Sequence, residues 1–364
     1  MRLIFLAGAN SVHSYKWIRY FSDTGNKIVW ISFEDNLFPQ LDNVEYFRIT
    51  KPKYGIKFIF HSFILRKTLR ITNDDVFHVH SVGSYGLLGW ILSWWITNKF
   101  IVTPWGSDLI FGSKNIVKKF IISKILNRAN LITCDAVFIK NIVMKYIAGK
   151  DKIKIINFGI DTNIFRRINS QSNNKRNKTK GFTIISTRNF EPVYNVKSLI
   201  LACKQLQDSG VDFHLKLIGA GSQETYLKDL VVELDLLSQV EFLGRVPNDQ
   251  LVDVLCSSDV YVSTSLSDAG IAASTAEAMA CQLPVIITDT AENGDWIIDG
   301  NNGYLFKPSD AQDLKNKLIE VKSTCSNTAI GENARKTIKE NNDYRTEMRK
   351  MDELYRSFNS VSNK

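Results

Sequence analysis

Short apolar runs alternate with amphipathic segments up to residue 157. Each run holds four to six residues, the usual length of a strand that is buried on both faces. Between the runs, apolar residues recur every three or four positions, as they do on the buried side of a helix. This alternation predicts a parallel sheet with helices on both faces. The predicted strands are residues 3–7, 28–33, 76–80, 100–103, 131–134 and 153–157, and the predicted helices are residues 13–22, 85–97, 116–127 and 137–147.

A second alternating series begins after residue 181 and predicts a second doubly wound domain. Its predicted strands are residues 183–186, 216–218, 240–242, 260–264 and 285–288, and its predicted helices are residues 196–207, 223–234, 249–256 and 274–280. Residues 166–180 between the two series are polar and basic, which is typical of a linker. We therefore predict domains at residues 1–165 and 181–342, followed by a charged helix at 343–358 with Met348, Met351, Leu354 and Tyr355 on one face.

The composition is that of an ordinary globular protein, with 44% apolar and 23% charged residues. Five scattered cysteines without a CxxC pair indicate free thiols in a reducing cytosol. The apolar opening, MRLIFLAGA, is too short for a signal peptide and is expected to form a strand. The uncharged run at 81–98 is interrupted by Gly and Ser, so we expect a buried or membrane-apposed helix there and not a membrane span.

Positive charge is concentrated in the first half of the chain. Residues 1–180 hold 28 Lys and Arg against 11 Asp and Glu, whereas residues 181–364 hold 18 against 26. This asymmetry indicates that the first half meets an anionic surface. Residues 51–70 carry six cations and no acid among large apolar residues, a pattern typical of a basic amphipathic helix on an anionic bilayer. A domain helix with a solvated basic face fits equally well. No nucleic-acid-binding motif accompanies the charge, so we expect no nucleic-acid partner.

The segment from Ser263 to Thr290 carries the clearest chemical signal. It predicts a strand, a tight turn at residues 268–270, a helix whose first turn has only small side chains, and a second buried strand. Small side chains let a ligand approach the helix start, where free N–H groups suit a diphosphate. Glu277 follows further along that helix, within reach of the sugar hydroxyls of such a ligand. The alternative is an ordinary βαβ unit in which Ala and Gly only permit tight packing.

Other chemistries find little support. Gly219-Ala-Gly221 follows a predicted strand like a dinucleotide-binding turn, but Glu224 stands where a third glycine is needed. There is no phosphate-binding lysine loop, no zinc-spaced Cys and His set and no nucleophile elbow in the sequence. No Asp-x-Asp pair occurs, so a metal-bridged sugar-nucleotide site is not expected, and we predict neither a metal nor another cofactor.

Several motifs in order make the chain similar to the retaining glycosyltransferases of family 4, which have the GT-B fold. The resemblance extends over essentially the whole chain and is densest from Gly159 to Pro308. The motifs are Asn157-Phe158-Gly159-Ile160-Asp161 with Phe165, Leu217-Ile218-Gly219-Ala220-Gly221, Val240-Glu241-Phe242-Leu243-Gly244, Glu277-Ala278-Met279-Ala280-Cys281 with Leu283-Pro284-Val285-Ile286, and Asp299-Gly300-Asn301-Asn302-Gly303-Tyr304-Leu305 after Trp296.

The resemblance implies an α/β fold with two Rossmann-like, doubly wound domains facing each other across a cleft. The terminal helix, residues 343–364, would cross back onto the first domain. The implied activity is transfer of a sugar, with retained anomeric configuration, from a nucleotide donor on the second domain to an acceptor hydroxyl on the first. Uridine is the commonest donor base in the family, which favours a UDP-sugar.

The resemblance also assigns roles residue by residue. Glu277 would bind the donor ribose, and the diphosphate would meet the turn and helix start. Arg188 would neutralise the departing phosphate by its charge. The implied binding residues are Phe242, Gly244 and Arg245 at the base, Gly219 in the GxG turn, Gly270, Ile271, Ser274 and Thr275 at the diphosphate, and Gly8 in a loop of the first domain that closes over it.

Three positions depart from the family pattern. The first acid of its acidic pair falls on Ala269, with Asp268 one place earlier, so either Asp268 contacts the sugar or backbone amides at Gly270 and Ile271 do so alone. Tyr194 replaces a phosphate-binding lysine. Trp105 replaces a histidine that reaches the donor sugar, and His13 or His80 are the candidates to compensate, although a lone histidine at a strand end is more often structural.

Retaining transfer of this kind would not need a protein nucleophile, because the leaving phosphate and the acceptor work on the same face of the sugar. We therefore name only Arg188, Asp268, Asp108 and His13 as catalytic candidates. Asp108 and His13 are candidates for acceptor contact. A helix N-cap is at least as good an explanation of Asp108.

The sequence thus favours a metal-independent glycosyltransferase that extends a lipid-linked or cell-surface glycan, for example of a lipopolysaccharide or capsule. It would add a hexose or an N-acetylhexosamine and would work as a peripheral protein at the cytosolic face of the membrane. The expected partners are a nucleotide sugar, a glycan or lipid-linked acceptor and an anionic membrane surface. The main alternative is a non-catalytic, nucleotide-sugar-binding partner subunit with a degenerate site. A sugar-nucleotide epimerase on the same fold is a third hypothesis.

Overall fold

The chain divides by its backbone contacts into two units. Unit 1 comprises Met1–Phe158 with Arg345–Lys364, and unit 2 comprises Gly159–Tyr344. The structure is a computed structural model that describes residues 1–53, 55–95, 99–106, 108–109, 115–167, 181–268, 270–324 and 328–360. Most of the predicted linker at 166–180, and Ala269, lie outside these ranges.

Unit 1 is built on a parallel sheet of seven strands within the described residues, in the order β3-β2-β1-β4-β5-β6-β7. The central strands are buried along their whole length because helices cover both faces. Ile4 of the first strand pairs with Val29 on one side and Phe77 on the other. The strands are β1 (Arg2–Leu6), β2 (Lys27–Ser32), β3 (Val44–Arg48), β4 (Val76–His80), β5 (Phe100–Thr103), β6 (Leu131–Cys134) and β7 (Ile153–Ile155).

Amphipathic helices cover this sheet. The first is capped by Ser11, whose Oγ accepts the N–H of Ser14, and it buries Trp17, Ile18 and Phe21. The helices are α1 (Val12–Asp23), α2 (Gly55–Thr68), α3 (Ser84–Leu92), α4 (Ile116–Arg128) and α5 (Val137–Val143). A 3₁₀ turn, Ser93–Trp95, follows α3. In the described part of the chain, no helix combines the length and the apolarity that a membrane span requires.

Unit 2 has a parallel sheet of six strands within the described residues, in the order β10-β9-β8-β11-β12-β13. The strands are β8 (Phe182–Ser186), β9 (Phe213–Ile218), β10 (Val240–Gly244), β11 (Val260–Ser263), β12 (Val285–Thr288) and β13 (Tyr304–Phe306). The helices are α6 (Val196–Asp208), α7 (Glu224–Glu233), α8 (Asn248–Cys256), α9 (Ala273–Ala280), α10 (Asn293–Trp296), α11 (Ala311–Ser323) and α12 (Ala329–Asn341), with a 3₁₀ turn at Pro192–Tyr194.

The last helix, α13 (Tyr344–Ser360), belongs to unit 1 from Arg345 onward. Its predicted apolar face is present, since Met348, Met351 and Tyr355 are buried. The hydroxyl of Tyr355 accepts a hydrogen bond from Nε1 of Trp17 at 3.3 Å and lies 2.5 Å from Nδ1 of His78. The helix therefore packs on the α1 side of the sheet.

Every strand predicted from the sequence is present, with bounds that differ by a few residues. The prediction missed β3 and β13. It ended α3 too late, because the chain tightens into a 3₁₀ turn after Leu92. It also ended α5 too late, after Val143. Cys134, Cys203 and Cys281 are buried free thiols and Cys256 is half-buried, whereas Cys325 lies outside the described residues.

Candidate functional site

In unit 2 the strand order runs outward in both directions from the neighbours β8 and β11. The carboxyl ends of two such strands form a topological switch point, where open parallel sheets bind their ligands. Arg188 follows β8 and Asp268 follows β11, and the two side chains meet there. Nη2 of Arg188 lies 2.6 Å from Oδ1 of Asp268, and the side chains are only 9% and 10% exposed. The structure thus brings two of the predicted catalytic residues into direct contact.

The guanidinium of Arg188 is held by two further contacts. Nη1 donates to Oγ of Ser274 at 3.1 Å, and Ser274 also accepts a hydrogen bond from the hydroxyl of Tyr261 at 2.9 Å. The planar group lies over the ring of Tyr194, 4.3 Å from its centroid. Nε is buried without a hydrogen-bond partner. Arg188 is therefore fixed in place, and its Nε, which no described residue engages, can donate to an anion.

Two glycines allow the chain after β9 to pack against the Arg188 loop. A Cβ on Gly219, whose φ is +151°, would lie 2.5 Å from the carbonyl oxygen of Arg188. A Cβ on Gly221 would lie 2.4 Å from the carbonyl oxygen of Phe190. These backbone contacts explain the GxG turn through packing. Gly219 was predicted to bind the ligand, and it holds the loop that carries Arg188.

The turn before α9 leaves the helix start without a side-chain cap. Gly270 is buried with φ +68°, and the N-cap position is occupied by Ala272. The first N–H groups of α9 therefore suit an anion. Ser274 faces Arg188, whereas the side chain of Thr275 is buried, which leaves its backbone N–H at the helix start. Ile271 and Glu277 are half-buried on the same turn and helix.

Unsatisfied polar atoms are concentrated at this edge of the sheet. Among the described residues, four buried hydroxyls without a hydrogen-bond partner lie at or just after the ends of β8, β11 and β12. They belong to Ser186, Thr187, Ser263 and Thr290. Buried polar groups normally form hydrogen bonds, so several buried hydroxyls without a partner at one edge of the sheet indicate a binding site for a polar ligand.

The end of β10 adjoins the same edge. The N–H of Gly219 donates to the carbonyl of Gly244 at 2.9 Å, which joins this loop to the GxG turn. Phe242 is half-buried, with its ring edge-on to Phe190 at 5.8 Å, and Arg245 is exposed. An aromatic ring and an exposed guanidinium beside backbone groups can bind a nucleobase by stacking and hydrogen bonding.

In unit 1 the corresponding switch point lies between β1 and β4. Gly8 follows β1, and His13 lies in the first turn of α1. The imidazole of His13 is 4.7 Å from the ring of Phe158 and 5.6 Å from that of Trp105, and the rings of Trp105 and Phe158 stack at 4.9 Å. His80, at the end of β4, lies 5.5 Å from Trp105. Both candidate histidines therefore contact the tryptophan that stands in place of the family's histidine.

Burial keeps these histidines neutral. Desolvation, followed by the charge of Lys16, lowers the pKa of His13 to about 4. Desolvation, followed by the nearby His13, lowers the pKa of His80 to about 3. His80 is fully buried and its Nε2 has no hydrogen-bond partner, whereas His13 is half-buried. His13 is thus the better placed of the two to meet a ligand.

The carboxylate of Asp108 braces two loops. Its Oδ2 accepts the N–H of Val82 at 2.6 Å, and its Oδ1 accepts the N–H groups of Trp105 at 3.0 Å and Leu109 at 2.9 Å. Three backbone donors fix it between the ends of β4 and β5. These bonds give Asp108 a structural role other than the predicted helix N-cap, which involves residues 110 and 111 outside the described ranges, and acceptor contact stays a prediction.

Sequence reasoning missed Tyr261, which orients Ser274, and the hydroxyls of Ser263 and Thr290. Ser263 and Thr290 are polar residues at or just beyond the end of a buried apolar strand, which is the available signal, whereas Tyr261 lies within β11 and has no such signal. The departure at Ala269 lies outside the described residues. Within the described part of the chain, no group of three or more His, Cys, Asp or Glu side chains could hold a metal ion. Metal independence stays a prediction.

Comparisons with known proteins find two family models that match this chain. The family model described as glycosyl transferases group 1 matches residues 167–337, and that described as glycosyl transferase 4-like matches residues 2–136. An uncharacterized glycosyltransferase of Methanocaldococcus jannaschii is 26% identical over 317 residues, 86% of this chain and 82% of that protein. The N-acetyl-alpha-D-glucosaminyl L-malate synthase of Bacillus anthracis is 26% identical over 275 residues, 74% of this chain and 71% of that protein.

Solved structures show the same fold at low sequence identity. Sucrose-phosphate synthase from Thermosynechococcus elongatus has a TM-score of 0.82 at 15% identity, covering 99% of this chain and all of that one. HepE of Anabaena in complex with UDP has a TM-score of 0.81 at 19% identity, covering 98% of this chain and 100% of that one. The GT-B fold is confirmed, with two Rossmann-like domains. The chain belongs to the glycosyl transferases of group 1, and its first half is of the glycosyl transferase 4-like type.

Proposed function

We propose that this glycosyltransferase moves a hexose or N-acetylhexosamine from a nucleotide sugar to a hydroxyl of a lipid-linked or cell-surface glycan, with retention of configuration. The donor is a UDP-sugar bound by unit 2, and the acceptor is bound by unit 1. The protein works as a peripheral protein at the cytosolic face of the membrane. The observation that carries the donor assignment is the Arg188–Asp268 pair beside the uncapped start of α9.

The donor assignment is supported by complementary charge. A nucleoside diphosphate brings two negative phosphates, and Arg188 with the first N–H groups of α9 supplies the matching donors. Asp268 faces the same spot and can accept a hydrogen bond from a sugar hydroxyl once the diphosphate has engaged Arg188. HepE has been solved with UDP and with UDP-glucose, which supports uridine as the base.

The acceptor assignment is supported by the residues at the switch point of unit 1. His13 and Trp105 present an imidazole and an indole ring there, and sugars bind such rings through their apolar faces. The setting is supported by relatives, among them the lipopolysaccharide outer core galactosyltransferase WaaB and the putative colanic acid biosynthesis glycosyltransferase WcaL of Escherichia coli. These likenesses concern the class of acceptor and not its identity.

The donor is tested by thermal unfolding of the full chain against a panel of nucleotides and nucleotide sugars. A ligand that binds only the folded protein raises the unfolding temperature with its concentration. We expect UDP and one UDP-sugar to stabilise the protein more than ADP and GDP and their sugars do. Stabilisation by a purine nucleotide alone would refute the uridine assignment.

Turnover measurements distinguish a glycosyltransferase from the two alternative functions. A non-catalytic partner subunit would bind the nucleotide sugar without hydrolysing or transferring it, and an epimerase would change the sugar without any acceptor. Replacement of the phosphate-binding lysine by Tyr194 favours the partner-subunit alternative, because one cation is missing. Proton NMR of the product's anomeric centre tests retention, and an assay in EDTA tests metal independence.

A further inference from the structure

Helix α2 is apolar on two opposite faces. Phe58 and Leu65 lie on one side at helical spacing, and they are buried in the core of unit 1. Ile56, Phe60 and Phe63 recur at the same spacing on the other side, and they are exposed. A helix of a globular domain normally buries one apolar stripe and turns a polar face to water. The second stripe therefore contributes nothing to the core.

Exposed apolar residues also occur on α4. Ile116, Val117 and Phe120 are exposed in the first two turns of α4. Helix α3 packs against both α2 and α4, and Phe58 of α2 and Ile121 of α4 line one pocket. We call the exposed apolar residues of α2 and α4 the apolar face. It comprises Ile56, Ile59, Phe60, Phe63 and Ile64 of α2 with Ile116, Val117 and Phe120 of α4.

The pocket between the helices has apolar walls and a cationic rim. Its volume is about 530 Å³, and Lys51, Lys53 and Lys118 line it together with the start of α3. Asp108 is the one acidic residue among the described residues that line it, and its carboxylate is already engaged by three backbone N–H groups. The pocket thus suits a ligand with an anionic head and an apolar tail.

The surrounding charge favours a lipid over a second copy of this chain. Residues 51–134, which contain both helices, hold twelve Lys and Arg and only three Asp and no Glu. Two copies that met through this face would bring like charges together, which costs binding energy. An anionic bilayer complements both features, because its headgroups attract lysines while its acyl boundary receives aromatic and aliphatic side chains.

We propose that unit 1 docks on an anionic lipid bilayer through the apolar face, with a lipid phosphate seated in the pocket between Lys51, Lys53 and Lys118. Phe60 and Phe63 enter the acyl boundary, and the cations around them remain at the headgroups. The proposal rests on the proposed function for its biological role, the presentation of a membrane-borne acceptor. The binding itself is measured without any transfer reaction.

The apolar part is tested by cosedimentation of the full chain with vesicles. Equal parts of phosphatidylglycerol and phosphatidylcholine at low salt should bind it, and pure phosphatidylcholine should bind it much more weakly. Phe60→Ser with Phe63→Ser should weaken binding at least about tenfold, because two large apolar side chains no longer leave water. The control is Val232→Ser with Leu237→Ser in unit 2, whose exposures of 57% and 67% match the 56% of Phe63 and 65% of Phe60. The control should bind as the parent does.

The cationic part is tested by removing the three rim charges. The variant Lys51→Gln, Lys53→Gln and Lys118→Gln should weaken binding on the order of a hundredfold at low salt, since each lysine near the surface contributes several-fold. The control variant Lys307→Gln, Lys336→Gln and Lys339→Gln removes three exposed charges from unit 2 and should have a much smaller effect. High salt should release the parent protein but change the binding of the rim variant little.

Soluble probes test the pocket itself. Dihexanoyl phosphatidic acid below its micelle concentration should give a calorimetric binding signal with the parent protein and a weaker one with the rim variant. Inorganic phosphate should give none at the same concentration. Equal signals from the two probes would mean that the pocket binds phosphate without a contribution from the acyl chains, and this result would overturn the proposal.

Three further results would overturn it. One is absence of binding to anionic vesicles at low salt, and another is an equal loss of binding in the test and control variants. The third is a dimer of the parent protein that dissociates in the Phe60 and Phe63 variant, which would assign the face to contacts between copies. Binding of the nucleotide sugar, measured on each variant, keeps the two proposals apart. Retained donor binding with lost vesicle binding supports docking, whereas vesicle binding without donor binding refutes the proposed function alone.

Discussion

At the scale of single residues, the central feature is a nearly buried ion pair. Removing an arginine and an aspartate from water costs more than their attraction usually returns, so such a pair contributes little to stability. Arg188 and Asp268 are nonetheless held together at the ligand-binding edge of the sheet, with Ser274 and Tyr194 fixing the guanidinium. This placement argues for a role in binding and chemistry.

Replacing Arg188 by alanine should lower turnover more than donor affinity. The guanidinium would act chiefly on the phosphate that leaves in the transition state, so we expect a loss of about a hundredfold or more in kcat and a smaller change in Kd. Steady-state kinetics and calorimetry give the two numbers. Arg188→Lys keeps the charge but loses the planar fork that reaches both Asp268 and Ser274, and it should recover only part of the rate. Equal losses in kcat and affinity would instead indicate plain ground-state binding.

Replacing Glu277 by alanine should weaken donor binding markedly. If its carboxylate accepts hydrogen bonds from the ribose, their loss should cost about 1.5–3 kcal/mol, which is roughly ten- to a hundredfold in Kd. Titration calorimetry with the nucleotide and with the free base separates the effects, because the base lacks the ribose hydroxyls. Glu277→Gln should fall between the parent and the alanine variant. An unchanged Kd for the nucleotide would contradict the ribose assignment.

At the scale of elements, two glycines determine how the site is assembled. Gly219 lies against the backbone that carries Arg188, and backbone atoms cannot yield as a flexible side chain can. The resemblance to the family implies that Gly219, in the GxG turn, binds the ligand. The structure shows a packing role that a single sequence cannot reveal, since the partner loop lies about thirty residues earlier in the chain.

Gly219→Ala should therefore disturb the site as well as the fold. The new Cβ would lie 2.5 Å from the carbonyl oxygen of Arg188, so the loop must move. We expect the free energy of unfolding to fall by about 2–4 kcal/mol and donor binding to weaken. Gly210→Ala is the matched control, because Gly210 also has positive φ but open space around it, and it should cost only about 1–2 kcal/mol. Donor affinity should be unchanged in the control, and an equal loss of affinity in both variants would count against the assembly role.

Most elements could be predicted because strands buried on both faces form continuous apolar runs. The prediction missed β3, an edge strand in which polar Glu45 and Arg48 are exposed, and β13, a short strand at the edge of the second sheet. The contact of Arg188 with Asp268 could not be predicted either. The two are eighty residues apart, and the strand order alone brings them together. The sequence likewise does not show which of the two apolar faces of α2 is buried and which is exposed.

The last helix is fixed to unit 1 by a buried chain of hydrogen bonds. It runs from Trp17 through Tyr355 to His78 and on to Thr103 and Thr133. Burial raises the pKa of Tyr355 well above its ordinary value, so the hydroxyl stays protonated and can serve both neighbours. The helix is thus held by these hydrogen bonds as well as by the buried side chains of Met348 and Met351.

Tyr355→Phe should destabilise unit 1 while leaving the packing of the ring intact. It leaves Trp17 and His78 without their shared partner in a dry interior, which costs about 1–3 kcal/mol. Denaturant unfolding should show a lower midpoint with an unchanged slope. Tyr226→Phe, at an exposed position on α7, is the control and should change stability by less than about 0.5 kcal/mol. A midpoint equal to that of the parent would mean that water replaces the lost hydroxyl.

At the scale of the molecule, the two halves of the chain differ in charge. Residues 1–180 have an excess of 17 positive charges, and residues 181–364 have an excess of 8 negative ones. The structure adds that unit 1 buries His78 and His80, with the half-buried His13 nearby, around the switch point of its sheet. Composition could not reveal this cluster, because His13 is far in the sequence from His78 and His80.

The histidine cluster should make unit 1 sensitive to mild acid. The folded-state pKa values of about 4 for His13 and about 3 for His80 lie below the ordinary value of 6.5, so between these values the unfolded chain binds more protons than the folded one. Stability is therefore full above pH 6.5 and falls as the pH drops toward 4, by about 2 kcal/mol per histidine between pH 7 and pH 5. Denaturant unfolding at each pH measures the fall. In His13→Asn the fall in stability between pH 7 and pH 5 should be smaller by about 2 kcal/mol. NMR titration of His13 in the parent protein should give a midpoint near 4. A fall in the variant as steep as in the parent would mean that other groups cause the loss of stability.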